Sequence, residues 1–356
     1  MAFSVLMLSG DPTAFTDSPF RARLLSYAED VTLTVIVTGV GVAKSETLRN
    51  LTLIYPGGAS RVQNFFRMLS AARRLSRGVS VVTAQDPYFT GLVGAYAAWG
   101  RAPLQLQVHG PLFDSAFTTE SLRHRIESLI ARFVLPMASC VRVVSEKTRA
   151  AAARVTNAPI TVLPVAADTS QFEKTYPRPT EYVDAPIVLA ASRLSKEKNM
   201  PLILDALALV PGAHLYIAGE GPERAALAAR AVKLGLTDRL HFLGFKNPIA
   251  PYMQHASVVV HASHYESYCL TLVETVLSRT PLVTTDVGVA RELPQELVTI
   301  VSDQAADMAA ALARVIEHPP DQSVRDRASN TLNKTLLTSD ETSRRFLTSL
   351  KSCSSL

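Results

Sequence analysis

Short apolar runs rich in β-branched residues alternate with helical stretches along the chain, and this alternation limits the possible folds more than any other feature. The runs span residues 3–8, 33–37, 79–82, 104–108, 141–144, 160–163, 187–191, 214–218, 240–243, 258–261, 282–284 and 298–301. Each run has the length of a strand that is buried on both faces. Intervening segments such as 63–75, 122–134 and 270–277 space their apolar residues like amphipathic helices. The pattern predicts an α/β protein with doubly wound parallel sheets.

A proline-rich segment separates the first six runs from the last six. Residues 173–186 include Pro177, Pro179 and Pro186, each of which fixes φ and lacks a backbone donor. A chain of 356 residues is long enough for two domains of about 150 residues each. We therefore expect a Rossmann-like domain over 1–172, a linker over 173–186 and a second Rossmann-like domain over 187–330. Residues 331–356 are expected to form a C-terminal helix that packs back on the N-terminal domain.

The composition excludes several classes of protein. Apolar residues make up 47% of the chain and charged residues 19%, which is below the roughly 25% of an average globular protein and excludes a disordered chain. The formal net charge of +5, without a long Lys/Arg block, argues against a nucleic-acid partner. Three cysteines without a CxxC pair predict neither a disulfide framework nor a zinc site, and they suggest a reducing compartment.

The sequence contains no signal for export or for spanning a membrane. Its first residues lack a cationic leader, and no run of about 18 apolar residues occurs without a charge. We therefore expect a cytoplasmic protein, at most a peripheral one at the inner face of the cell membrane.

Charged and glycine-rich segments follow four of the predicted strands in the second half. In open α/β sheets, ligands bind beyond the carboxyl ends of the strands. Arg193 and Lys198 occur in one such loop, where a diphosphate would need fixed positive charge. Taken alone, they fit two solvated surface cations better than a binding site, because charged residues are mostly exposed.

Two glycine-containing turns and a helix start complete this set. Gly219-Glu220-Gly221 and Gly244-Phe245 would let a ligand approach the main chain, although any tight turn could use such glycines. Glu266 precedes a helix predicted to start near Leu270, whose free N–H groups could bind an anion. Glu274 lies one turn further along. Alternatively, Glu266 complements the helix dipole, and Glu274 is an exposed helix glutamate.

Taken in order, the segments SRLSKEKN, IAGEGPER, FLGF and YESYCLTLVE resemble the C-terminal domain of the retaining nucleotide-sugar glycosyltransferases of family four, also called glycosyl transferases group 1. This resemblance implies the GT-B fold, in which two Rossmann-like domains face each other across a cleft. The first half is similar to the family more loosely, at Gln107-Val108-His109-Gly110 and Ser145-Glu146. Arg279 stands where the family commonly has glycine, and a positive φ there would cost about 1 kcal/mol.

The resemblance also implies roles for individual residues. As catalytic residues it implies His109, Arg193, Lys198 and Glu266. Donor binding would involve Arg193, Lys198, Glu220, Gly244, Phe245, Glu266, Tyr268, Cys269, Leu270, Thr271 and Glu274. Gly10 and His109 would lie on the acceptor side, although the first loop, Gly10-Asp11-Pro12, lacks the paired glycines common in the family.

The function implied by the resemblance is hexosyl transfer from a nucleotide-diphosphate sugar to a hydroxyl acceptor, with retention at the anomeric carbon. No Asp-x-Asp follows a strand, so we expect neither a required metal nor another cofactor. Two alternatives remain open at this point: a nucleotide-sugar epimerase of the same architecture and a non-catalytic nucleotide-sugar-binding subunit. The acceptor is expected to be a sugar or a lipid-linked saccharide in bacterial-type polysaccharide or glycolipid assembly.

A basic amphipathic segment of the first half suggests contact with an anionic membrane. Arg67, Arg73, Arg74 and Arg77 cluster with Phe66 there. Such a surface can dock on anionic lipid, but a core-facing helix with a solvated basic side would give the same pattern.

Overall fold

The computed structural model describes residues 3–355, which divide into two compact units. The first unit runs to Val165 and resumes at Leu337, and the second unit is the continuous segment Ala166–Leu336. The segment predicted as a linker, 173–186, lies within the second unit. There the Tyr182 hydroxyl donates a hydrogen bond to the carbonyl of Tyr252 at 2.9 Å.

The first unit is built on an eight-stranded sheet. Its strands are β1 (Ser4–Ser9), β2 (Thr32–Val37), β3 (Lys44–Leu48), β4 (Leu51–Tyr55), β5 (Val81–Ala84), β6 (Leu104–Val108), β7 (Cys140–Val143) and β8 (Ile160–Val162). Their order in the sheet is β3-β4-β2-β1-β5-β6-β7-β8, and only β3 runs antiparallel to its neighbour. The sequence pattern predicts six of these strands. It misses β3, because Lys44–Leu48 is a polar edge strand, and it also misses β4, Leu51–Tyr55.

Helices cover both faces of this sheet. They are α1 (Pro19–Asp30), α2 (Arg61–Leu75), α3 (Phe89–Ala98), α4 (Ser115–Glu120), α5 (Leu122–Val134) and α6 (Glu146–Ala153). Because side chains alternate along a strand, β1 serves two cores. Leu6 and Leu8 pack with α2, α3 and α5, whereas Val5 and Met7 pack with α1. The first unit is therefore doubly wound.

The second unit has a smaller, wholly parallel sheet. Its strands are β9 (Ile187–Ala191), β10 (His214–Ala218), β11 (Leu240–Gly244), β12 (Val258–His261), β13 (Leu282–Thr285) and β14 (Val298–Val301), in the order β11-β10-β9-β12-β13-β14. Its helices are α7 (Met200–Ala208), α8 (Arg224–Lys233), α9 (Ala250–Gln254), α10 (Leu270–Leu277), α11 (Ala305–Glu317) and α12 (Gln322–Asn333). Strand order reverses on either side of β9, so the loops after β9, β10 and β12 meet at one switch point.

The C-terminal segment departs from its prediction in one respect. Instead of one helix from residue 331, α12 ends at Asn333 and α13 (Ser339–Cys353) begins after five intervening residues. Thr338 has an extended backbone and accepts a hydrogen bond from the Glu341 N–H at 3.1 Å, which starts a new helix. Helix α13 belongs to the first unit and packs on α1, β5 and β6. Its Phe346 ring lies 4.8 Å from the Tyr27 ring.

A disulfide joins α13 to the sheet of the first unit. Cys140 in β7 is bonded to Cys353 at the end of α13, 213 residues later in the sequence, and both are buried. The expectation of no disulfide is therefore wrong for this pair. An odd cysteine count leaves one residue over, and that residue is Cys269, whose thiol is free.

None of the helices within residues 3–355 combines the length and the apolar character needed to cross a bilayer.

Candidate functional site

The site in the second unit forms at the carboxyl edge of its sheet, where β9 and β12 lie side by side. Two hydrogen bonds hold the loops after these strands together. The His264 N–H donates to the carbonyl of Glu197 at 2.9 Å, and the Thr271 hydroxyl donates to the carbonyl of Ala191 at 3.3 Å. The start of α10 is thereby fixed against the end of β9.

Glu266 is the centre of this site. Its Oε1 atom forms an ion pair with the Lys198 ammonium, accepts a hydrogen bond from the Ser263 hydroxyl at 2.9 Å and lies 3.2 Å from His261 Nε2. Both partners in the ion pair are mostly buried, with 18% and 15% of the Lys198 and Glu266 side chains exposed. Among residues 3–355, the polar contacts of this carboxylate all involve Oε1. Oε2 is therefore available to a ligand.

The charges around Glu266 reinforce one another. Burial alone would raise the pKa of the Glu266 carboxyl, but His261 and Lys198 together lower it to about 2. Burial likewise opposes charge on His261, but Cys269 and Glu266 raise the pKa of its imidazole to about 9. The result is a buried carboxylate between two cations, fixed in one orientation.

Arg193 lies in the same loop as Lys198 but does not contact Glu266. Its guanidinium, which is 71% exposed, is 3.0 Å from Glu197 Oε1. Burial opposes the charge of Glu197, but hydrogen bonds from the Ser195 hydroxyl, from the backbone and from Arg193 keep the pKa of its carboxyl below the ordinary value. The structure therefore places one predicted cation in a buried pair and the other at the surface.

The predicted glycine-rich turns pack closely on the loop after β9. At Gly219, φ is +155°, and a Cβ atom would lie 1.9 Å from the Ser192 carbonyl oxygen. Glycine is thus required there by protein packing alone. Gly244 differs, because the atom nearest to a Cβ placed there would be a carboxylate oxygen of Glu220, at 3.3 Å. Glu220 and Phe245 are both exposed, so this turn presents its surface to solvent.

The start of α10 contributes backbone groups. Cys269, the residue before the helix, has a left-handed backbone with φ 70° and provides no side-chain cap. Its neighbour Tyr268 is buried, and burial raises the pKa of the Tyr268 phenol to about 12. The N–H groups of Leu270 and Thr271 lie in the first turn, where an α-helix offers them no acceptor.

Glu274 lies on the next turn of α10, half-buried. Burial raises the pKa of its carboxyl, and within residues 3–355 it has no hydrogen-bond or ion-pair partner. A carboxylate in this position can accept hydrogen bonds from a ligand.

The predicted residues of the first unit lie at the carboxyl edge of its own sheet. Gly10 follows β1 and is exposed. His109 follows β6, and its Nε2 is 3.2 Å from the Gln107 side-chain oxygen. Desolvation, followed by the Arg142 and Arg23 cations, lowers the pKa of His109. Since the His109 side chain is exposed, solvent limits the shift, and the imidazole is neutral at pH 7.

Three side chains of the site could also be metal ligands. Ligand atoms of His261, Glu266 and Cys269 all lie within 4.8 Å of one another. A metal ion at this position would be repelled by the Lys198 ammonium, which already neutralises the Glu266 carboxylate. The arrangement therefore favours the ion pair.

His261 and Ser263 are the site residues that the sequence pattern does not reveal. Ser263 Oγ lies 2.8 Å from His261 Nε2, and Cys269 Sγ lies 3.4 Å from the same atom. His261 ends an apolar strand and is 97% buried, so it has the sequence context of a core residue. The available signal is the spacing to Glu266, five residues later, across the loop that follows β12.

The chain forms two α/β units with parallel sheets, and one of them has this charged switch point. This is the architecture of the GT-B fold, and two solved structures with similar folds support the assignment. Sucrose-phosphate synthase from Thermosynechococcus elongatus superposes with a TM-score of 0.76 over 98% of both chains, at 18% identity. The Anabaena protein HepE in complex with UDP-glucose superposes with a TM-score of 0.70 over 98% of this chain and 99% of its own, also at 18% identity. The chain therefore has the GT-B fold.

Two family models match adjoining parts of the chain. Residues 26–171 match Glycosyltransferase Family 4, and residues 171–333 match Glycosyl transferases group 1. The chain belongs to the family-four glycosyltransferases. One curated relative is the lipopolysaccharide core biosynthesis glycosyltransferase LpsE of Rhizobium meliloti, which is 31% identical over 102 residues, or 29% of this chain and 30% of LpsE. The chain matches between 30% and 59% of the length of three such relatives.

Proposed function

We propose that this protein is a retaining glycosyltransferase that moves a hexose from a nucleotide-diphosphate sugar to a hydroxyl group of an acceptor. The bond between the anomeric carbon and the phosphate oxygen breaks, and a bond to the acceptor oxygen forms on the same face of the sugar. The acceptor proton passes to the departing phosphate. Family membership supports this reaction, as does the similarity to a protein whose structure contains UDP-glucose.

The observation that carries the proposal is the Lys198–Glu266 ion pair, because it joins the ends of neighbouring strands β9 and β12. Glu266 Oε1 is held by Lys198, Ser263 and His261. In the proposed complex, Oε2 accepts a hydrogen bond from a hydroxyl of the transferred sugar. A carboxylate fixed in advance in this way needs no reorganisation when the donor binds.

Negative charge develops on the leaving diphosphate, and cations and N–H groups near the switch point stabilise it. Lys198 has donors left beyond its contact with Glu266, and Arg193 can turn its exposed guanidinium from Glu197 to a phosphate. The N–H groups of Leu270 and Thr271 add the positive end of the α10 dipole. Removing one such preorganised donor commonly lowers the rate by about 10²–10³-fold.

The remaining donor contacts follow from the positions of the neighbouring groups. The Glu274 carboxylate, which has no hydrogen-bond or ion-pair partner within residues 3–355, would accept hydrogen bonds from the ribose diol. Gly244 and Phe245, with Glu220 beside them, would contact the base. Tyr268 and Cys269 would line the path between base and sugar.

We propose that the reaction requires no metal, because Lys198 and Arg193 supply the positive charge that a metal would otherwise provide. Transfer should therefore be unchanged after dialysis against a chelator. A loss of activity that Mg²⁺ or Mn²⁺ restores would contradict this part of the proposal.

The acceptor is proposed to be a sugar or a lipid-linked saccharide in polysaccharide or glycolipid assembly, and the similarity to LpsE favours this class. His109 and Gly10 would contribute on the acceptor side. A neutral His109 imidazole can accept or donate a hydrogen bond at an acceptor hydroxyl. The protein would work in the cytoplasm, at the inner face of an anionic membrane.

The test compares two lysines of one loop. Lys198→Ala should weaken binding of the preferred nucleotide sugar and reduce transfer by about 10²–10³-fold. Lys196→Ala, which removes an exposed lysine two residues away, should change neither. Donor preference is first established by thermal shift with a panel of UDP-, ADP- and GDP-sugars.

Other outcomes would overturn the proposal. Equal transfer by the Lys198 and Lys196 variants would remove Lys198 from the donor site. Conversion of the nucleotide sugar without an acceptor would identify an epimerase. Donor binding without turnover on any saccharide or lipid-linked acceptor would identify a binding subunit.

A further inference from the structure

Large apolar side chains are exposed mainly on one part of the first unit. Of eighteen such side chains among residues 3–355, eleven lie on α2, α3 and α5 or directly after α3 and α5. They are Val62, Phe66, Phe89, Leu92, Tyr96, Trp99, Leu122, Ile126, Leu129, Phe133 and Met137. Single exposed apolar residues are ordinary in globular proteins, but a concentration of this kind marks an interaction surface.

These side chains form stripes along neighbouring helices. Phe89, Leu92, Tyr96 and Trp99 follow one another at three- and four-residue spacing along α3, so they share one face of the helix. Leu122, Ile126, Leu129 and Phe133 repeat this spacing along α5. Helix α3 packs against both α2 and α5, so the three helices are adjacent. We call the surface formed by these exposed side chains of residues 61–137 the α2–α3–α5 face.

Positive charge accompanies this apolar surface. Residues 61–137 contain nine arginines, no lysine and four acidic residues, and this excess of five equals the formal net charge of the whole chain. One of the four acids, Glu127, is buried and paired with Arg123. The helices α2 and α3 contain no acidic residue.

An arginine-rich pocket opens on this face. It has a volume of about 660 Å³ and is lined by Arg73, Arg74, Arg77 and Arg101, with Phe66 and Tyr96 at its sides. The Arg73 guanidinium donates to the carbonyls of Tyr96 at 3.1 Å and Trp99 at 2.7 Å. Arg101 in turn donates to the Arg73 carbonyl. These two arginines therefore build the wall of the pocket.

The other two arginines of the pocket are available to a ligand. Within residues 3–355, Arg74 and Arg77 have no hydrogen-bond or ion-pair partner for their guanidinium groups. Guanidinium groups bind phosphate oxygens in a bidentate manner. A pocket with free guanidiniums and aromatic walls suits a phosphate that carries an apolar tail.

We propose that the α2–α3–α5 face docks on the surface of an anionic phospholipid bilayer. In this arrangement the pocket takes a lipid phosphate between Arg74 and Arg77, and the stripes of α3 and α5 enter the boundary between headgroups and acyl chains. Both the charge and the apolar stripes fit such a surface, because anionic headgroups attract arginine while Trp and Tyr favour the interface. This docking makes the membrane contact of the proposed function specific to one surface. It rests on the proposed function only in assuming that the acceptor is lipid-linked.

The chain contains its own reporter for this contact. Trp99 is the only tryptophan, lies on the α2–α3–α5 face and is 73% exposed. Adding vesicles of phosphatidylglycerol and phosphatidylcholine should shift its emission to the blue, and lipids brominated on the acyl chain should quench it. Vesicles of phosphatidylcholine alone should have little effect, and high salt should reduce the shift.

Matched variants show whether vesicle binding depends on this particular surface or only on the overall charge or hydrophobicity of the protein. The double substitution Arg74→Glu/Arg77→Glu should weaken vesicle binding by more than about tenfold. The control Arg154→Glu/Lys351→Glu makes the same charge change at two exposed positions elsewhere in the first unit and should bind within about twofold of the parent. Phe133→Ser should weaken binding, whereas Val232→Ser, at an equally exposed position in the second unit, should not.

Two results would overturn the inference. One is unchanged Trp99 emission with anionic vesicles at low salt. The other is concentration-dependent self-association that Phe133→Ser abolishes, which would assign the face to a second copy of this chain. Nucleotide-sugar binding, measured on the same variants, keeps the two proposals distinct. Vesicle failure with intact donor binding rejects only the docking, and the reverse result rejects only the proposed function.

Discussion

The two units share a parallel, doubly wound plan but place their charges differently. In the second unit, Arg193, Lys198 and Glu266 lie in the loops at the carboxyl edge of the sheet, and Lys198 and Glu266 are mostly buried. At the corresponding edge of the first unit, Gly10 and a neutral His109 follow the strands. There the positive charge lies instead in residues 61–137, which contain nine arginines, seven of them on the outer helices α2 and α5.

This difference shows that one architecture can serve two kinds of recognition. Strand ends at a switch point suit a small, highly charged ligand, because several loops converge there. Outer helix faces are broad and suit an extended surface. The fold fixes where side chains can converge, whereas the residues in the loops and on the helix faces decide what is bound.

Only the first of the two units contains a disulfide within residues 3–355. Reducing this disulfide should have the largest effect on stability of the changes considered. Reducing Cys140–Cys353, or substituting Cys353→Ala, should lower the stability of the first unit by about 2–4 kcal/mol, because the bond closes a loop of 213 residues. Hydrogen exchange should accelerate in β6, β7 and α13 but not in β9 or β12. Cys269→Ser is the control, and equal protection of the reduced and oxidised protein in the first unit would contradict the expectation.

The charged network of the second unit predicts a pH dependence that the first unit should lack. The pKa of His261 is raised from its ordinary 6.5 to about 9, so its contribution to stability is complete below pH 6.5 and lost as pH rises through 9. The pKa of Glu266 is lowered from 4.5 to about 2, so its contribution is complete above pH 4.5 and lost as pH falls through 2. The network therefore stabilises the protein most between pH 4.5 and 6.5.

Removing the imidazole should abolish the alkaline part of this dependence. The groups that face His261 are Glu266, Ser263 and Cys269, with Lys198 on the far side of the carboxylate. His261→Gln should lower the free energy of unfolding near pH 6 by about 1–3 kcal/mol and flatten its fall towards pH 10. Urea unfolding at both pH values measures this, with the exposed His264→Gln as control. A fall towards pH 10 that persists in His261→Gln would assign the titration to another group.

The smallest expected effect lies at the end of α10. Arg279 has a φ of 61°, as the prediction of backbone strain at this position requires. Arg279→Gly should relieve about 1 kcal/mol of strain but lose the ion pair of Arg279 Nε with Asp326 Oδ1 at 2.7 Å, which is worth at most about 1 kcal/mol at the surface. The net change should be small in the parent and approach about 1 kcal/mol of stabilisation in an Asp326→Ala background. Equal effects in both backgrounds would show that the ion pair contributes nothing.

The periodicity of the sequence was sufficient to predict most buried strands. It was not sufficient to predict the edge strand β3 or the long-range pairing of two cysteines. All twelve predicted runs correspond to strands. Most of them are buried on both faces and so need apolar residues throughout, whereas β8 and β11 are only partly buried edge strands. The pattern missed β3, since Lys44–Leu48 is an edge strand that keeps its polar residues in solvent. It also missed β4, which lies between β3 and β2 in the sheet. Likewise, no local pattern could join Cys140 to Cys353.

The candidate site was predictable only in part for a related reason. Arg193, Lys198 and Glu266 are charged residues in the loops that follow apolar strands, and this contrast is visible in a single sequence. His261 is buried at the end of its strand and gives no such contrast, so its position beside Glu266 emerges only in three dimensions. The sequence also does not show which apolar side chains are exposed. The exposed apolar stripes on α3 and α5 can therefore be identified only from the way these helices pack in the structure.

The return of the chain to the first unit at Leu337 has a consequence for synthesis on the ribosome. The second unit is one uninterrupted segment, so all of its strands have emerged while the first unit still lacks α13, with Phe346 and Cys353. The part that is translated first is thus completed last. Until then, the nascent first unit exposes the apolar groove that α13 will fill, which makes it the part of the chain most in need of a chaperone.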